Sequence, residues 1–484
     1  MHADNQSDVT LKPRFGGAKH CVRRTRGRRP YSEGIHSVDP SVARAIDPSG
    51  TRTVTVSALR LYFVFLLALA ALALSPAIAN TQTRLDPFAE NIVAIRARRI
   101  ETISHGTIED GVIVIRGGKI TAVGADAKIP VGARVLQTDT VMPGIVGAYS
   151  QMGVSSGTGA VARSDPHLRV ADELYPWDES YHRLLRSGVT TLALLPTGRG
   201  FPGQGAIVRT ESDSAEHMLL TANGPLAIDF APNTQTIDLI RTTLQGARPP
   251  APAQSPAPET GAKPAAASEP EAGSENQIRG QRRRQPGAAP RQASTNAPPD
   301  VRRAPVTRAI LGETSAIITC PDAASVLYIL PLLQPYDTLK PSFVISTAET
   351  FQVTSALGAI KAGVILPAAL TLEPLTRNRL NMPAIFAKAG AKIALRPFED
   401  SPEGYATLRY QVAELVHYGL NRDIALRAIT LSPAEMLGVS DRLGSIDVGR
   451  DASLLLLDAD PLEPGSRVRT VLLEGRTVFE DTAR

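Results

Sequence analysis

Apolar and polar residues alternate in short Val- and Ile-rich runs towards both ends of the chain. These runs are NIVAIRARRIET, DGVIVIRGGKITAVG and ARVLQTDTVMPG on one side, and GSIDVGRDASLLLLDADP and RVRTVLLEGRTVFED on the other. Alternation with a period of two is typical of strands with one buried face. Gly117-Gly118 and Glu474-Gly475-Arg476 indicate tight turns between such strands. Because chain ends often lie close together, we expect both regions to form one small β domain.

Between these regions, strand-like and helix-like segments alternate. ESYHRLLRSG predicts a helix that ends at Gly188, and VTTLALLP directly after it predicts a strand. Further strands are predicted in SAIITC, SFVIST, AGVILPAAL and AKIALRPF, and further helices in TSALGAIKAG and GYATLRYQVAELVHYGL. Alternating β and α segments over this length favour a parallel sheet, either open or closed into a barrel.

Residues 246–305 interrupt this pattern. The segment is rich in proline, lacks aromatic residues, and has only Ile278 and Val301 as large aliphatic residues. It cannot bury enough apolar surface to fold, so we predict a disordered insert whose basic cluster RGQRRRQPG is a solvated loop. Without the insert, roughly 230 residues remain between 144 and 435, near the lower end for eight βα units, so an abbreviated barrel is compatible with the length.

The N-terminal region has the features of an export signal. Arg60 precedes an apolar run, Leu61 to Leu74, and Ala77-Ile78-Ala79 follows with the small-residue pattern of a cleavage site. We therefore predict a signal peptide at 56–79 and a periplasmic protein. The alternative is an uncleaved inner-membrane anchor, although a spanning helix needs about 20 apolar residues. Residues 1–55 are interpreted as a disordered leader or a mis-assigned start, with the true initiation near Val54 or Val56.

The charge distribution and the cysteine content argue against a nucleic-acid partner, an intramolecular disulfide and a cysteine-rich zinc site. The net charge of +5 comes from residues 1–60, which hold eleven basic and five acidic residues, and the remaining chain is close to neutral. The basic balance therefore gives no reason to expect a nucleic-acid partner. Cys21 lies upstream of the predicted cleavage, so the mature chain has Cys320 alone. One cysteine can form neither an intramolecular disulfide nor a cysteine-rich zinc site.

Four stretches, in a particular order and spacing, carry a family resemblance. They are DGVIVIRGGKITAVG with VMPGIVGAYSQMG, then RSGVTTLALLP, GQGAIVRT, and NRDIALRAITLSPAEMLGVSDRLGSIDVGRDASLLLLDADP. The chain resembles the amidohydrolase superfamily, in its imidazolonepropionase- and dipeptidase-like branch, over roughly residues 91–228 and 306–484. The resemblance implies an α/β fold: a (β/α)8 TIM-like barrel at 144–435, flanked by a small β-sandwich built from 80–143 and 436–484.

The resemblance also implies metal-assisted hydrolysis, in which divalent ions such as zinc activate a bound water. The family's histidine pair on the first barrel strand falls on Tyr149 and Gln151. Its later histidines fall near Cys320 and Ser346, and its aspartate on the last strand falls on Asp400, with a spacing about two residues longer than usual.

The loss of these metal ligands is also supported by residue types that are absent from long stretches of the chain, whatever the alignment to the family. No histidine occurs between His217 and His417, and no lysine between Lys128 and Lys263. The later histidines and the family's bridging lysine therefore have no counterpart, while an acidic substitute for the lysine stays open. We expect no bound metal and no other cofactor. The remaining histidines are expected to be surface or packed residues, and Asp172 and Glu173 could line the barrel mouth.

The leading hypothesis is a degenerate, non-catalytic amidohydrolase-like protein of the cell envelope. Its barrel would serve as a binding or assembly module, with an active relative or a second copy of the chain as partner and no nucleic acid. The first alternative is an active hydrolase of carbon–nitrogen bonds in amides, cyclic amides or dipeptides, with Asp400 as general base and Tyr149 as donor. The second alternative is a membrane-anchored scaffold.

Overall fold

The structure, a computed structural model, describes residues 92–154, 161–211, 213–249 and 302–481. The predicted signal peptide at 56–79 and almost all of the 246–305 insert lie outside these residues. No helix in the described ranges is long and apolar enough to cross a membrane.

Twenty strands follow one another along the described chain. They are β1 (Val93–Glu101), β2 (Thr107–Arg116), β3 (Lys119–Gly124), β4 (Arg134–Pro143), β5 (Ile145–Ser150), β6 (Arg163–Ser164), β7 (Val189–Leu194), β8 (Gly200–Gln204), β9 (Ala206–Arg209), β10 (Leu219–Thr221), β11 (Leu226–Asp229), β12 (Ala316–Cys320), β13 (Pro341–Ile345), β14 (Gly363–Pro367), β15 (Thr371–Leu372), β16 (Arg379–Leu380), β17 (Lys392–Arg396), β18 (Leu454–Leu457), β19 (Val468–Leu473) and β20 (Arg476–Glu480).

Ten α-helices separate or follow the strands. They are α1 (Glu179–Arg186), α2 (Ala215–Met218), α3 (Thr234–Gly246), α4 (Ala304–Ile310), α5 (Ala323–Leu333), α6 (Thr354–Ala359), α7 (Met382–Lys388), α8 (Pro402–His417), α9 (Arg422–Ala428) and α10 (Leu431–Leu437). The helices predicted in ESYHRLLRSG, TSALGAIKAG and GYATLRYQVAELVHYGL are confirmed as α1, α6 and α8. Short 3-10 helices lie at Val170–Glu173 and Ala348–Val353.

Strands from both ends of the described chain form one seven-stranded sheet, in the order β20-β19-β18-β4-β1-β2-β3. The two predicted turns are confirmed, because Gly117-Gly118 and Glu474-Gly475 all have positive φ between paired strands. The sheet is tied to the helices by Glu101 on β1, which is buried and accepts a hydrogen bond of 2.7 Å from Arg422 on α9. Removing Arg422 would leave the buried carboxylate of Glu101 without its ion-pair partner, so this contact helps to hold the sheet against α9.

The central strands form two further sheets around one apolar interior. Their orders are β10-β9-β7-β5 and β17-β14-β13-β12-β11-β8-β6, and β17 lies beside β5. Within the described residues the ladders stay two sheets and do not join into a continuous ring. Strands β11, β12, β13, β14 and β17 are parallel, whereas β8 and β9 run antiparallel to their neighbours β11 and β7. The predicted α/β class is confirmed.

The interior of this barrel-like arrangement is filled by one side chain or two from each of eight strands. They are Val146 and Ala148 (β5), Ala193 (β7), Ile207 (β9), Ala227 (β11), Ile317 (β12), Val344 (β13), Ile365 (β14) and Ala394 (β17). Helix α10 adds Ala434, Met436 and Leu437 to the same cluster. Since successive side chains alternate between faces, the next inward positions lie two residues further along each strand, at the carboxyl ends.

Candidate functional site

The carboxyl ends of three central strands surround a small cavity. Tyr149 and Gln151 come from the end of β5, Asp229 from the end of β11, and Thr319 from β12. The side chain of Tyr149 hydrogen-bonds to Thr319 and is largely buried, and this burial raises the pKa of the phenol. The volume of the cavity is about 10 Å³, which is room for about one water molecule.

The alternation of side chains along β12 decides which residue reaches this cavity. Ile317 and Thr319 point to the interior, whereas Cys320 belongs to the outer core that packs against the helices. Cys320 is fully buried there, and its burial raises the pKa of the thiol. The position that the resemblance assigned to Cys320 is therefore filled by Thr319, because a shift of one residue moves a side chain to the opposite face of a strand.

Asp400 lies beside the first strand, as the carry-over of the family pattern implied. Its Oδ2 accepts a hydrogen bond of 2.7 Å from the backbone N–H of Gln151, and the hydroxyl of Ser150 is a second donor. Burial raises the pKa of the Asp400 carboxyl, although both hydrogen bonds and the charge of Arg396 oppose the shift. Its other oxygen, Oδ1, is buried and has no partner among the described residues.

Arg396, the last residue of β17, brings a positive charge into the middle of these side chains. Its Nη2 donates to Ser346 Oγ at 3.2 Å, and its guanidinium carbon lies 6.0 Å from the centroid of the Tyr149 ring. The same charge lowers the pKa of Asp400 and Tyr149 relative to burial alone. Arg396 thus links three of the positions predicted from sequence, Tyr149, Ser346 and Asp400. The sequence analysis missed it because its only mark is a place on the inward-facing side of the strand.

Asp229 is the second residue that the sequence analysis missed. It ends the strand LAID. The sequence analysis left an acidic substitute for the family's lysine open but named no residue for it. Burial raises the pKa of its carboxyl to about 6, and the charge of Arg199 opposes this shift. A carboxyl that titrates near neutral pH beside a phenol and a hydroxyl can transfer protons. The sequence signal that could have identified Asp229 was a single acidic residue at the end of a short apolar run.

These donors do not fit the divalent metal that the family resemblance implies. Across the described part of the chain, no three His, Cys, Asp or Glu side chains come together in a way that could hold a metal ion. Tyr149, Gln151, Thr319 and Ser346 offer neutral oxygens or nitrogens, and the guanidinium of Arg396 lies among them. A fixed cation and mostly neutral donors are a poor match for zinc-like ions, which prefer imidazole, thiolate and carboxylate ligands.

None of the described histidines lines the cavity. Three of them are mostly exposed and approach a carboxylate: His105 near Asp447, His182 near Glu211 and His217 near Asp213. His217 lies on helix α2. His417 packs edge-on against Tyr418 at the end of α8. Asp172 and Glu173 lie on an exposed 3-10 turn, where Asp172 pairs with Arg169.

Comparison with known proteins identifies relatives of both the sequence and the fold. Residues 415–479 match the family model described as "Amidohydrolase family". Over 71 residues the chain is 39% identical to Amidohydrolase tasK of Hapsidospora irregularis, a stretch that makes up 15% of this chain and 7% of that protein. The match therefore spans only a small part of that relative's length.

A solved amidohydrolase from Thermotoga maritima MSB8 has a similar overall structure. It superposes with a TM-score of 0.61 and 20% sequence identity, covering 80% of this chain and 100% of that one. At this identity the likeness establishes the fold. The predicted α/β architecture related to the TIM-barrel amidohydrolases is confirmed, and so is the family resemblance drawn from the sequence motifs.

Proposed function

We propose that this chain is a non-catalytic member of the amidohydrolase superfamily, whose barrel serves as a binding or assembly module. The observation that carries this proposal is the guanidinium of Arg396, which stands among the side chains at the family's ligand positions. A fixed positive charge repels a divalent cation from the place where the family's chemistry needs one to activate water.

The size of the cavity at the strand ends supports the same proposal. It holds about one water molecule, whereas pockets that bind small molecules usually span about 300–1,000 Å³. Tyr149 and Thr319 close it from two strands by bonding to each other. An amide substrate would have to displace this contact before it could reach Asp229 or Asp400.

Metal content tests this proposal directly. We expect the full chain, purified from metal-replete cells, to carry far less than one equivalent of zinc, manganese, iron or nickel by elemental analysis. Incubation with excess zinc followed by desalting serves as the control for metal lost during purification. About one tightly held ion per chain in either sample would contradict the proposal, because the donor set described above leaves no place for it.

We further propose that the module acts in the cell envelope, with an active relative or a second copy of the chain as its partner. The location is supported by the export signal predicted at residues 56–79, which lies outside the described residues. The kind of partner follows from the family resemblance alone.

A second candidate function is hydrolysis of carbon–nitrogen bonds, and one specific observation favours it. Asp229 has a pKa raised to about 6, which suits a general base near neutral pH. Tyr149, beside it, could donate a hydrogen bond to a developing oxyanion. In this candidate Asp400 positions the β5 end through Gln151 and Ser150 and does not itself act as the base.

An activity assay separates the two functions. If the chain is a hydrolase, turnover of cyclic amides or aminoacyl amides should rise with pH through about 6 and fall by 10²-fold or more in Asp229→Asn, as expected for loss of a general base. Asp126→Asn, an exposed aspartate outside the central strands, is the matched control and should retain full activity. Turnover that survives Asp229→Asn would exclude Asp229 as the base, and no turnover by the wild type would favour the binding module.

A further inference from the structure

A second, much larger cavity lies at the opposite ends of the central strands. Its volume is about 460 Å³, and residues that begin or directly precede β11, β12, β13, β14 and β17 line it together with the end of α10. None of its lining residues lines the cavity near Tyr149. Its volume falls within the range of pockets that bind small molecules.

The charged residues around this cavity leave a positive surplus. Three lysines line it, Lys340, Lys361 and Lys392, against the two carboxylates of Glu313 and Glu435. Glu435 is already paired twice, with Lys392 at 2.7 Å and with Arg427. Lys340 donates to the carbonyl of Gly312 at 2.9 Å. Among the described residues, neither Lys340 nor Lys361 forms an ion pair, so both ammonium groups are available to an anion.

Apolar side chains complete the wall of the cavity. Leu339, Ile360 and Met436 line it together with the lysines. The wall therefore combines cationic hydrogen-bond donors with hydrocarbon surface.

Lys361 occupies a backbone conformation that glycine usually takes. It follows helix α6 with φ +50°, and its N–H donates to Gly358 O while the next N–H donates to Leu357 O. This is the left-handed end of a helix, at which lysine is strained relative to glycine. At this position the lysine lines the cavity, and glycine can replace it without backbone strain.

We propose that this cavity binds a small organic monocarboxylate, with its carboxylate between Lys340 and Lys361 and its apolar body against Leu339 and Met436. The net positive charge of the lining matches a single negative charge, and the apolar wall favours a hydrocarbon tail over an inorganic anion. The site is independent of the function proposed for the other end of the barrel.

Isothermal titration of the full chain with hexanoate tests the proposal, with hexanamide and inorganic phosphate as comparison probes. We expect hexanoate to bind and the neutral amide and phosphate to bind at least tenfold more weakly. Lys361→Gly should fold at least as stably as the wild type yet weaken hexanoate about tenfold, as expected for loss of one charged contact.

Leu375→Gly is the matched control for Lys361→Gly. Leu375 also has a positive φ, +63°, and is fully exposed away from the cavity lining, so relieving its strain should leave hexanoate binding unchanged. The proposal is overturned if hexanoate fails to bind the wild type at millimolar concentration, if hexanamide or phosphate binds equally well, or if Lys361→Gly binds hexanoate as tightly as Leu375→Gly does.

Discussion

Tyr405→Ala is expected to lower the free energy of unfolding by about 4 kcal/mol, the usual cost of truncating a large buried aromatic side chain. Tyr405 is 1% exposed on helix α8 and packs in the outer core beneath the strand ends. Gly147 on β5 makes room for it, because a Cβ at that position would lie 2.7 Å from the Tyr405 Oη. The cavity left by the alanine variant would therefore open directly under the residues of the candidate site.

Tyr405→Phe is expected to behave very differently from the alanine variant. The Tyr405 Oη is buried and has no partner among the described residues, and burial raises the pKa of the phenol strongly. Removing an unsatisfied hydroxyl should leave the free energy of unfolding unchanged or raise it by about 1 kcal/mol. If phenylalanine were as damaging as alanine, the hydroxyl would have to bind a group that the fold alone does not supply.

Urea unfolding at neutral pH measures both Tyr405 variants. Tyr410→Ala on the same helix is the matched control, because its side chain is 60% exposed and surface truncations usually change stability by less than about 0.5 kcal/mol. A loss of stability in Tyr410→Ala close to that of Tyr405→Ala would contradict the packing described here.

Asp229→Asn is expected to raise the free energy of unfolding at neutral pH and to leave it almost unchanged at acidic pH. The pKa of the Asp229 carboxyl is about 6 in the folded chain against an ordinary 3.8, so the folded state holds a proton that the unfolded chain releases. Stability therefore falls as the pH rises from about 4 to 6 and stays reduced above that range. The full shift corresponds to about 3 kcal/mol, and partial solvent screening reduces the expected gain to about 1–2 kcal/mol.

Unfolding in urea at pH 4 and at pH 7.5 tests this expectation. The difference between wild type and Asp229→Asn should be small at the lower pH and reach its full value at the higher one, while Asp126→Asn shows no such trend. If the difference in the free energy of unfolding between the two proteins does not change with pH, burial does not raise the pKa of the Asp229 carboxyl. A stabilising substitution that also abolishes turnover would identify a carboxylate retained for chemistry at a cost in stability.

The role of Arg396 joins these expectations to the proposed function. The carboxyl of Asp400, the ring of Tyr149 and the hydroxyl of Ser346 all lie within the influence of one guanidinium. In the family's chemistry a metal ion would supply positive charge at this end of the barrel. Here a side chain supplies it, and a side chain cannot lower the pKa of a bound water as a divalent ion does.

The sequence by itself determined the order of strands and helices and the turns between them. Hydrophobic period, helix ends such as Gly188 and glycine turns such as Gly117-Gly118 are local properties, so they can be predicted without knowing what packs against them. The motifs also identified the family and the end of each strand at which polar residues gather. Placing Tyr149, Gln151 and Asp400 near one another followed from those motifs.

Only the tertiary structure decided which side chains face the interior and which distant residues meet there. Thr319, and not Cys320, reaches the cavity, because one residue of register along β12 exchanges the inner and outer faces. Asp400 accepts a hydrogen bond from the backbone N–H of Gln151, which is 249 residues away in the sequence. Arg396 reaches the site because alternate side chains of β17 face the interior. Burial then shifts the pKa of Asp229, since a carboxyl is desolvated only when strands far apart in sequence close around it.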